Sequence, residues 1–211
     1  YGQTETTLLA ANLPAMEVRA GSMGKPFPGH DVRVVDSNLN DARAGEVGEI
    51  AVRITPERPP SIFLEYWKNP AETAAVFKGD YYLTGDEATR DTDGYLWFVG
   101  RADDVIISAG YRIGPCEVES ALLEHGAVME SAVGASPDAD RGSIVKAFVK
   151  LRAGAEGTEA LKHELQEHVK RTTAPYKYPR EIEFVDDLPK TVSGKLRRVE
   201  LRKAEEARKR G

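Results

Sequence analysis

Between Gly24 and Gly100 apolar and polar positions alternate over short runs separated by turn residues. Val32 and Val34 alternate with polar neighbours, Asp36 to Gly45 is rich in turn formers, and Gly48-Glu49-Ile50-Ala51-Val52-Arg53 reads as a returning strand. Asp91-Thr92-Asp93-Gly94 marks a further turn before Tyr95-Leu96-Trp97-Phe98-Val99. These aromatic and branched residues favour a strand, which delivers Arg101 to a strand end where a ligand can reach it. The period-two pattern predicts a small β-barrel-like or sandwich-like subdomain.

After Asp104 the period lengthens. Pro115 fits a first helical position, with Glu117 and Glu119 in the first turn and Val118, Ala121 and Leu122 as an apolar stripe ending at Gly126. Val128 to Gly134 and Ile144 to Leu151 read as strands. Leu161, Leu165 and Val169 recur at helical spacing before Pro175, and Ile182 and Phe184 alternate in a last strand. The order β, α, β, β, α, β predicts a compact α+β lid of about 100 residues. The expected fold class is thus α+β, with a β-rich first domain over 1–102 and a C-terminal lid domain over 103–211. No internal repeat or low-complexity segment interrupts it.

Composition narrows the picture. With 211 residues, 41% of them hydrophobic, the chain has material for real cores, and its net charge of −5 argues against nucleic acid or an anionic membrane as general partners. The stretch from Lys195 to Arg210 is locally basic. No apolar run approaches the roughly 20 residues of a membrane helix. The single cysteine, Cys116, excludes an internal disulfide and fits a reducing compartment. With no signal core at the start, a cytoplasmic location is expected.

Candidate chemistry lies in Tyr81-Tyr82-Leu83-Thr84-Gly85-Asp86, Gly100-Arg101-Ala102-Asp103-Asp104 and Pro189-Lys190-Thr191-Val192-Ser193-Gly194-Lys195. Activating a carboxylate with ATP needs anchors for the ribose, a cation at the phosphates and neutralisation of charge developing at the α-phosphate. The two oxygens of Asp86 suit adjacent ribose hydroxyls, and Arg101 offers a fixed guanidinium fork. Each residue has an ordinary alternative: Asp86 as a turn residue, Arg101 in a surface ion pair, Ser193-Gly194-Lys195 as an exposed turn. The last is not a Walker loop, because the preceding spaced glycine is absent. Their joint occurrence in this order points to a nucleotide. Elsewhere, Cys116 is read as buried packing, Trp67 and Trp97 as core, and His163 and His168, five apart, as surface residues with the wrong spacing for a shared metal.

Together with Tyr1-Gly2-Gln3-Thr4-Glu5, Gly45-Glu46-Val47-Gly48-Glu49-Ile50 and Gly110-Tyr111-Arg112-Ile113-Gly114, these segments resemble successive core motifs of the AMP-forming acyl-CoA synthetase, adenylation-domain and luciferase superfamily. They span essentially the whole chain. Ser108 to Pro115 and Ala174 to Arg180 are most similar to the medium-chain and short-chain acyl-CoA synthetases. The resemblance implies a ligase of fatty acid metabolism that converts a carboxylic acid, ATP and coenzyme A to acyl-CoA through an acyl-adenylate. Tyr1, Gly2, Gln3 and Thr4 would line the adenine and phosphate side, with Glu5 a ligand of Mg2+. Asp86 would bind the ribose, and Arg101 the ribose or α-phosphate. Asp103 would be the hinge about which the lid rotates between half-reactions. Lys195 would be the catalytic lysine of adenylation. Ser108, Gly110 and Arg112 would face coenzyme A, with Gly110 beside the pantetheine tunnel unless it simply meets a turn requirement.

The family's phosphate loop and most of its acyl pocket precede the motif at Tyr1. The chain therefore reads as the C-terminal part of a longer enzyme, inactive alone, whose missing N-terminal part is its first partner; a homo-oligomer is left open. Two other functions fit the same motifs: an adenylation domain that loads a carrier-protein thiol, and a non-catalytic nucleotide-binding or coenzyme A-binding module.

Overall fold

The computed structural model describes residues 1–192 and 194–210; Ser193, part of the Ser193-Gly194-Lys195 motif, lies outside the described residues. The chain divides into two units, Tyr1–Asp103 and a second that begins at Asp104.

In the first unit, two short antiparallel pairs lead the chain: β1 (Gly2–Gln3) with β2 (Thr7–Leu8), and β3 (Ala10–Ala11) with β4 (Lys25–Pro26). The main sheet follows. It is built from β5 (Val32–Val35), β6 (Val47–Arg53), β7 (Phe77–Lys78), β8 (Tyr81–Arg90) and β9 (Leu96–Arg101), with the helix α1 (Pro70–Val76) between β6 and β7. The Asn69 side chain caps α1 by accepting from the Glu72 amide, and Pro70 supplies the preset first turn.

Strand order is β5-β6-β8, and the far side of β8 is shared, with β7 pairing Tyr81 and Tyr82 and β9 pairing Asp86 to Arg90. Closing a barrel requires strands to complete a ring of pairings. Here the two outer sides, β5 on one and the short β7 with β9 on the other, do not pair, so the expected barrel-like sheet is open. Ile50, Val52, Val34, Tyr82, Leu96 and Leu9 form the main core, while Ala51 points the other way onto Val35, Tyr81 and Leu83. β6 is buried on both faces, which explains its weak alternation.

The second unit opens with a hairpin of β10 (Ile106–Ser108) and β11 (Tyr111–Ile113), followed by α2 (Pro115–Leu123). β12 (Val128–Asp138) and β13 (Gly142–Leu151) form a long antiparallel hairpin. The chain then crosses through α3 (Glu159–Thr172), capped by Thr158, to β14 (Glu181–Phe184), which lies parallel to β13. One sheet face packs Val133, Val145, Ala147 and Ile182 against Val118 and Leu122 of α2 and Leu165 and Val169 of α3. The opposite face carries Ala132, Phe148 and Leu188, joined by Leu196 and by Leu201 of the last helix, α4 (Arg198–Arg210).

Helix α4 was legible only as a basic stretch, because ions make up much of its inner face. Glu205, 1% exposed, accepts from Lys146 Nζ of β13 at 2.7 Å and from Ser136 of β12 at 2.8 Å. Arg208 pairs with Glu183, and Lys209 with Glu181 at 2.8 Å. Burial opposes ionisation of Glu205, yet Lys146 and Ser136 outweigh it and hold the carboxyl below its ordinary range. Arg208 does the same for Glu183. Burial likewise works against the Lys146 charge, and Glu205 and Glu183 keep its pKa raised.

Three side-chain expectations are corrected. Trp67 is 83% exposed rather than core, since the loop before α1 turns it outward beside Lys68. Trp97 is half-buried, with its indole N–H toward Asp91 at 3.4 Å. His168 is half-buried rather than a surface residue, its Nε2 at 3.0 Å from the Ala121 carbonyl.

The Lys146 network yields a stability prediction. Lys146→Met should destabilise the fold by about 3 kcal/mol, the low end for a broken buried pair, because Arg208 Nη1 still lies 3.5 Å from Glu205. Native carboxyl pKa values held below their unfolded values give stability that is present at neutral pH and lost as pH falls through the native value. Without Lys146 that contribution is largely gone, so the difference between variant and parent in urea unfolding should shrink below about pH 4. A pH-independent difference would contradict the assignment.

Candidate functional site

The first unit gathers most of the expected nucleotide residues around one carboxylate. In the pairing of β6 with β8, Glu49 faces Glu87 and Ala51 faces Leu83, so Thr84, Gly85 and Asp86 stand against the single residue Ile50. This is a bulge, which re-aims side chains at a strand. Thr84 Oγ1 donates to the Ile50 carbonyl at 2.8 Å, the Asp86 amide donates to Thr84 Oγ1 at 3.2 Å, and the Gly85 amide donates to Glu49 Oε1 at 2.8 Å. Gly85 sits at φ +70°, and a Cβ there would lie 2.9 Å from Arg101 Nη2. Glycine thus suits the left-handed backbone, and a Cβ there would push the guanidinium aside.

Asp86 is 5% exposed and is the direct cross-strand partner of Arg101 on β9. Its Oδ2 accepts from Tyr1 Oη at 2.6 Å and from Gln3 Nε2 at 2.7 Å; its Oδ1 lies 3.3 Å from Arg101 Nη1. Gln3 Nε2 also donates to the Thr84 carbonyl at 2.9 Å, and Tyr82 donates to Gln3 Oε1 at 3.0 Å, which fixes the amide orientation. Arg101 Nε is 3.6 Å from Asp103. Burial first, then the bond to Asp86, push the Tyr1 hydroxyl pKa far up, so it remains a donor. For Arg101 burial works against the charge, and Asp86 and Asp103 more than restore it. A carboxylate offers about four acceptor positions. Three are taken, so one ribose hydroxyl can bind Oδ1 directly and a second must displace a neighbour.

The remaining residues of the opening motif divide. A Cβ at Gly2 would meet the Thr7 carbonyl oxygen at 1.8 Å, so glycine there serves the close β1–β2 pairing. Thr4 is exposed within the turn closed by Thr6, and Glu5 accepts from Tyr66 Oη at 3.1 Å. Among the described residues no group of three His, Cys, Asp or Glu could hold a metal.

In the second unit Ser108, Gly110 and Arg112 lie on the β10–β11 hairpin. Ser108 is buried, and Ser108 and Tyr111 close a two-residue turn in which Ala109 and Gly110 have φ of +49° and +84°. Such a turn follows the strand twist and favours glycine. A Cβ at Gly110 would meet nothing within 4 Å, so the turn accounts for this glycine and the space beside it is open. Arg112 is exposed opposite Ile107, and Tyr111 stacks on Tyr176 with ring centres 4.3 Å apart.

Lys195 is exposed in a turn where the Thr191 amide donates to the Lys195 carbonyl at 2.8 Å and the Lys195 amide donates to Thr191 Oγ1 at 3.0 Å. No carboxylate among the described residues pairs with its ammonium. Cys116 is half-buried, and burial with nearby Glu119 pushes its thiol pKa up, away from nucleophilic use. Sequence reasoning missed Tyr82, Tyr66 and Glu49 as supports. Their only signal was the glycine interrupting the strand pattern at Gly85, which marks a bulge and hence a re-aimed neighbour.

The chain belongs to the AMP-binding enzyme family: residues 1–67 match the AMP-binding enzyme model and 117–195 match the AMP-binding enzyme C-terminal domain. Among curated relatives, acyl-coenzyme A synthetase ACSM3, mitochondrial, of Mus musculus is 55% identical over 207 residues, and the human acyl-coenzyme A synthetase ACSM5, mitochondrial, is 57% identical over 207 residues. In both cases 97% of this chain and 36% of the relative are covered, so the chain spans about a third of their length. The anthranilate CoA ligase AuaEII in complex with anthranoyl-AMP superposes with a TM-score of 0.85 at 39% identity, over 97% of this chain and 39% of the ligase. ATP-bound MatB from Rhodopseudomonas palustris gives 0.82 at 33%, over 97% and 39%. The relatives' names place them in mitochondria, which overturns the cytoplasmic expectation. No helix among the described residues is long and apolar enough to cross a membrane.

The bulge supports a direct test. Gly85→Ala should cost about 1–2 kcal/mol for the left-handed backbone alone and also displace Arg101 from Asp86. Urea unfolding measures the first effect, and a loosened Arg101 side-chain signal in NMR the second. Unchanged values for both would exclude the close packing described.

Proposed function

We propose that the protein carrying this chain is an ATP-dependent acid–CoA ligase acting on a short-chain, medium-chain or related carboxylic acid. The observation that carries this reading is the nearly buried Asp86 carboxylate, gripped by Tyr1, Gln3 and Arg101. Asp86 takes a ribose hydroxyl, Arg101 a second ribose or α-phosphate oxygen, and Tyr1, Gly2, Gln3 and Thr4 line the adenine and phosphate side.

In the first half-reaction a carboxylate oxygen attacks the α-phosphorus of ATP, the bond to the β-phosphate breaks, and pyrophosphate leaves. Lys195 stabilises the negative charge that develops. Its exposed ammonium, with no ion pair among the described residues, and the short, internally bonded turn beneath it support that role. In the second half-reaction the thiol sulfur of coenzyme A attacks the acyl carbon, its proton passes to solvent, and AMP leaves. Ser108, Gly110 and Arg112 serve this step, with open space at Gly110 and the exposed Arg112 as support. Asp103 acts as the hinge between the two steps; the boundary of the compact units after this residue supports it.

Glu5 would help hold Mg2+, which would supply charge neutralisation at the ATP phosphates. The ion commonly uses one or two carboxylates plus phosphates and water, and the single Glu5 carboxylate fits that use. The mitochondrial relatives suggest the same compartment for this protein.

An ammonium about 4 Å from a developing charge is worth roughly 4 kcal/mol at an effective dielectric near 20, equivalent to about a thousandfold in rate. In the full-length protein, Lys195→Ala should lower acid-dependent pyrophosphate release by that factor and leave ATP binding in place. Unchanged release would overturn the ligase reading. A product found on a carrier-protein thiol and never on coenzyme A would replace the acceptor.

A further inference from the structure

The catalytic lysine proposed above lies only three residues before Arg198, the first residue of α4. Arg198 grips a buried carboxylate with two arms of its fork: Nη2 is 2.6 Å from Glu119 Oε2, and Nε is 3.1 Å from Glu119 Oε1. Glu119, on α2, is 7% exposed. Its Oε1 also accepts from the Val133 amide of β12 at 2.8 Å, and the Ser131 hydroxyl donates to its carbonyl at 3.1 Å. The Arg198 guanidinium is therefore tied to a helix directly and, through Glu119, to the edge of the sheet.

The other half of the Lys195 turn is held as well. Its stem pairs Lys190 with Leu196, and the Arg197 amide donates to the Pro189 carbonyl at 2.8 Å. Lys190 Nζ lies 2.5 Å from Glu130 of β12, and Leu196 packs into the cluster of Ala132, Phe148 and Leu188. Lys195 closes the turn on the returning arm of this stem, next to Leu196, with no ion pair of its own among the described residues. A lone flexible lysine delivered to a reacting centre needs a rigid base. Here the base is a buried ion pair.

We propose that Glu119 and Arg198 are positioning residues for Lys195: they fix the root of its turn and so set where the ammonium is delivered during acyl-adenylate formation. The inference rests on the ligase reading given above. It also explains an arginine at 198, because a lysine there would keep the charge and lose the two-armed geometry. A displacement of about 1 Å at a reacting group costs on the order of a hundredfold in rate.

The experiment uses the full-length protein with Arg198→Lys and, separately, Glu119→Gln. Adenylation is read as acid-dependent pyrophosphate release, and thioester formation is read from supplied acyl-adenylate and coenzyme A. Hydrogen exchange reports on the amides of Thr191 to Leu196, and thermal unfolding on the fold. Both variants should lose on the order of tenfold to a hundredfold in adenylation, exchange faster in the turn, and retain thioester formation. A merely structural pair would lower both half-reactions together with thermal stability, and that result overturns the proposal. Unchanged adenylation with unchanged exchange overturns it too. If Lys195→Ala itself leaves adenylation intact, the ligase reading fails. Faster turn exchange in Arg198→Lys would then still show the anchor, separating the two failures.

Discussion

A carboxylate taken out of water must be given donors, and that constraint organises the first unit around Asp86. The bulge that turns Asp86 inward also frees the Gly85 amide for Glu49, while Thr84 ties the bulge to Ile50. The left-handed glycine admits the guanidinium of Arg101. Tyr1 and Gln3 arrive from the other end of the unit, and Tyr82, rooted in the core, orients Gln3. Two other segments, the chain start and β9, therefore converge on one charge, and β6 braces the bulge that carries it. The result is a rigid acceptor, already polarised by a fixed cation, which suits recognition of sugar hydroxyls better than a solvated surface aspartate would.

The same constraint, repeated with opposite sign, builds the second unit. Lys146 is 5% exposed on a central strand and is tolerable only because Glu205, Glu183 and Glu181 surround its ammonium. Glu119 is tolerable because Arg198 and the Val133 amide meet it. Arg202 adds a third tie, 3.1 Å from Asp104 at the start of the unit. Buried ion pairs add little net stability compared with apolar packing, yet they specify one register, because any slip of α4 strands several charges at once. Register is the property a helix beginning just after Lys195 has to secure.

Legibility in the sequence followed the kind of force at work. α2, α3 and β12 to β14 were readable because their apolar positions recur at helical or strand spacing and those positions form the core. Helix α4 was not readable as a helix, since charges at positions 198, 202, 205 and 208 replace much of the apolar stripe. The β10–β11 hairpin was hidden because Ala109 occupies a left-handed position that asparagine or glycine would have signalled. The openness of the first sheet depends on which strands pair along β8, a long-range fact that local alternation does not encode. Asp86 and Arg101 were found through their motifs, but their direct cross-strand pairing required the β8–β9 register. Trp67 misled because aromatic character alone carries no information about which way a loop turns.

The second unit joins two chemically unlike surfaces by one scaffold. The β10–β11 hairpin presents an open glycine turn and an arginine, and the turn after Pro189 presents the exposed Lys195. Helix α2 begins two residues after the hairpin, and its Glu119 takes the arginine that roots the lysine turn. A shift of α2 would therefore be felt by both surfaces. The proposed half-reactions need a cation in the site and then a channel in its place, and two surfaces held on one rigid scaffold suit that pair of needs.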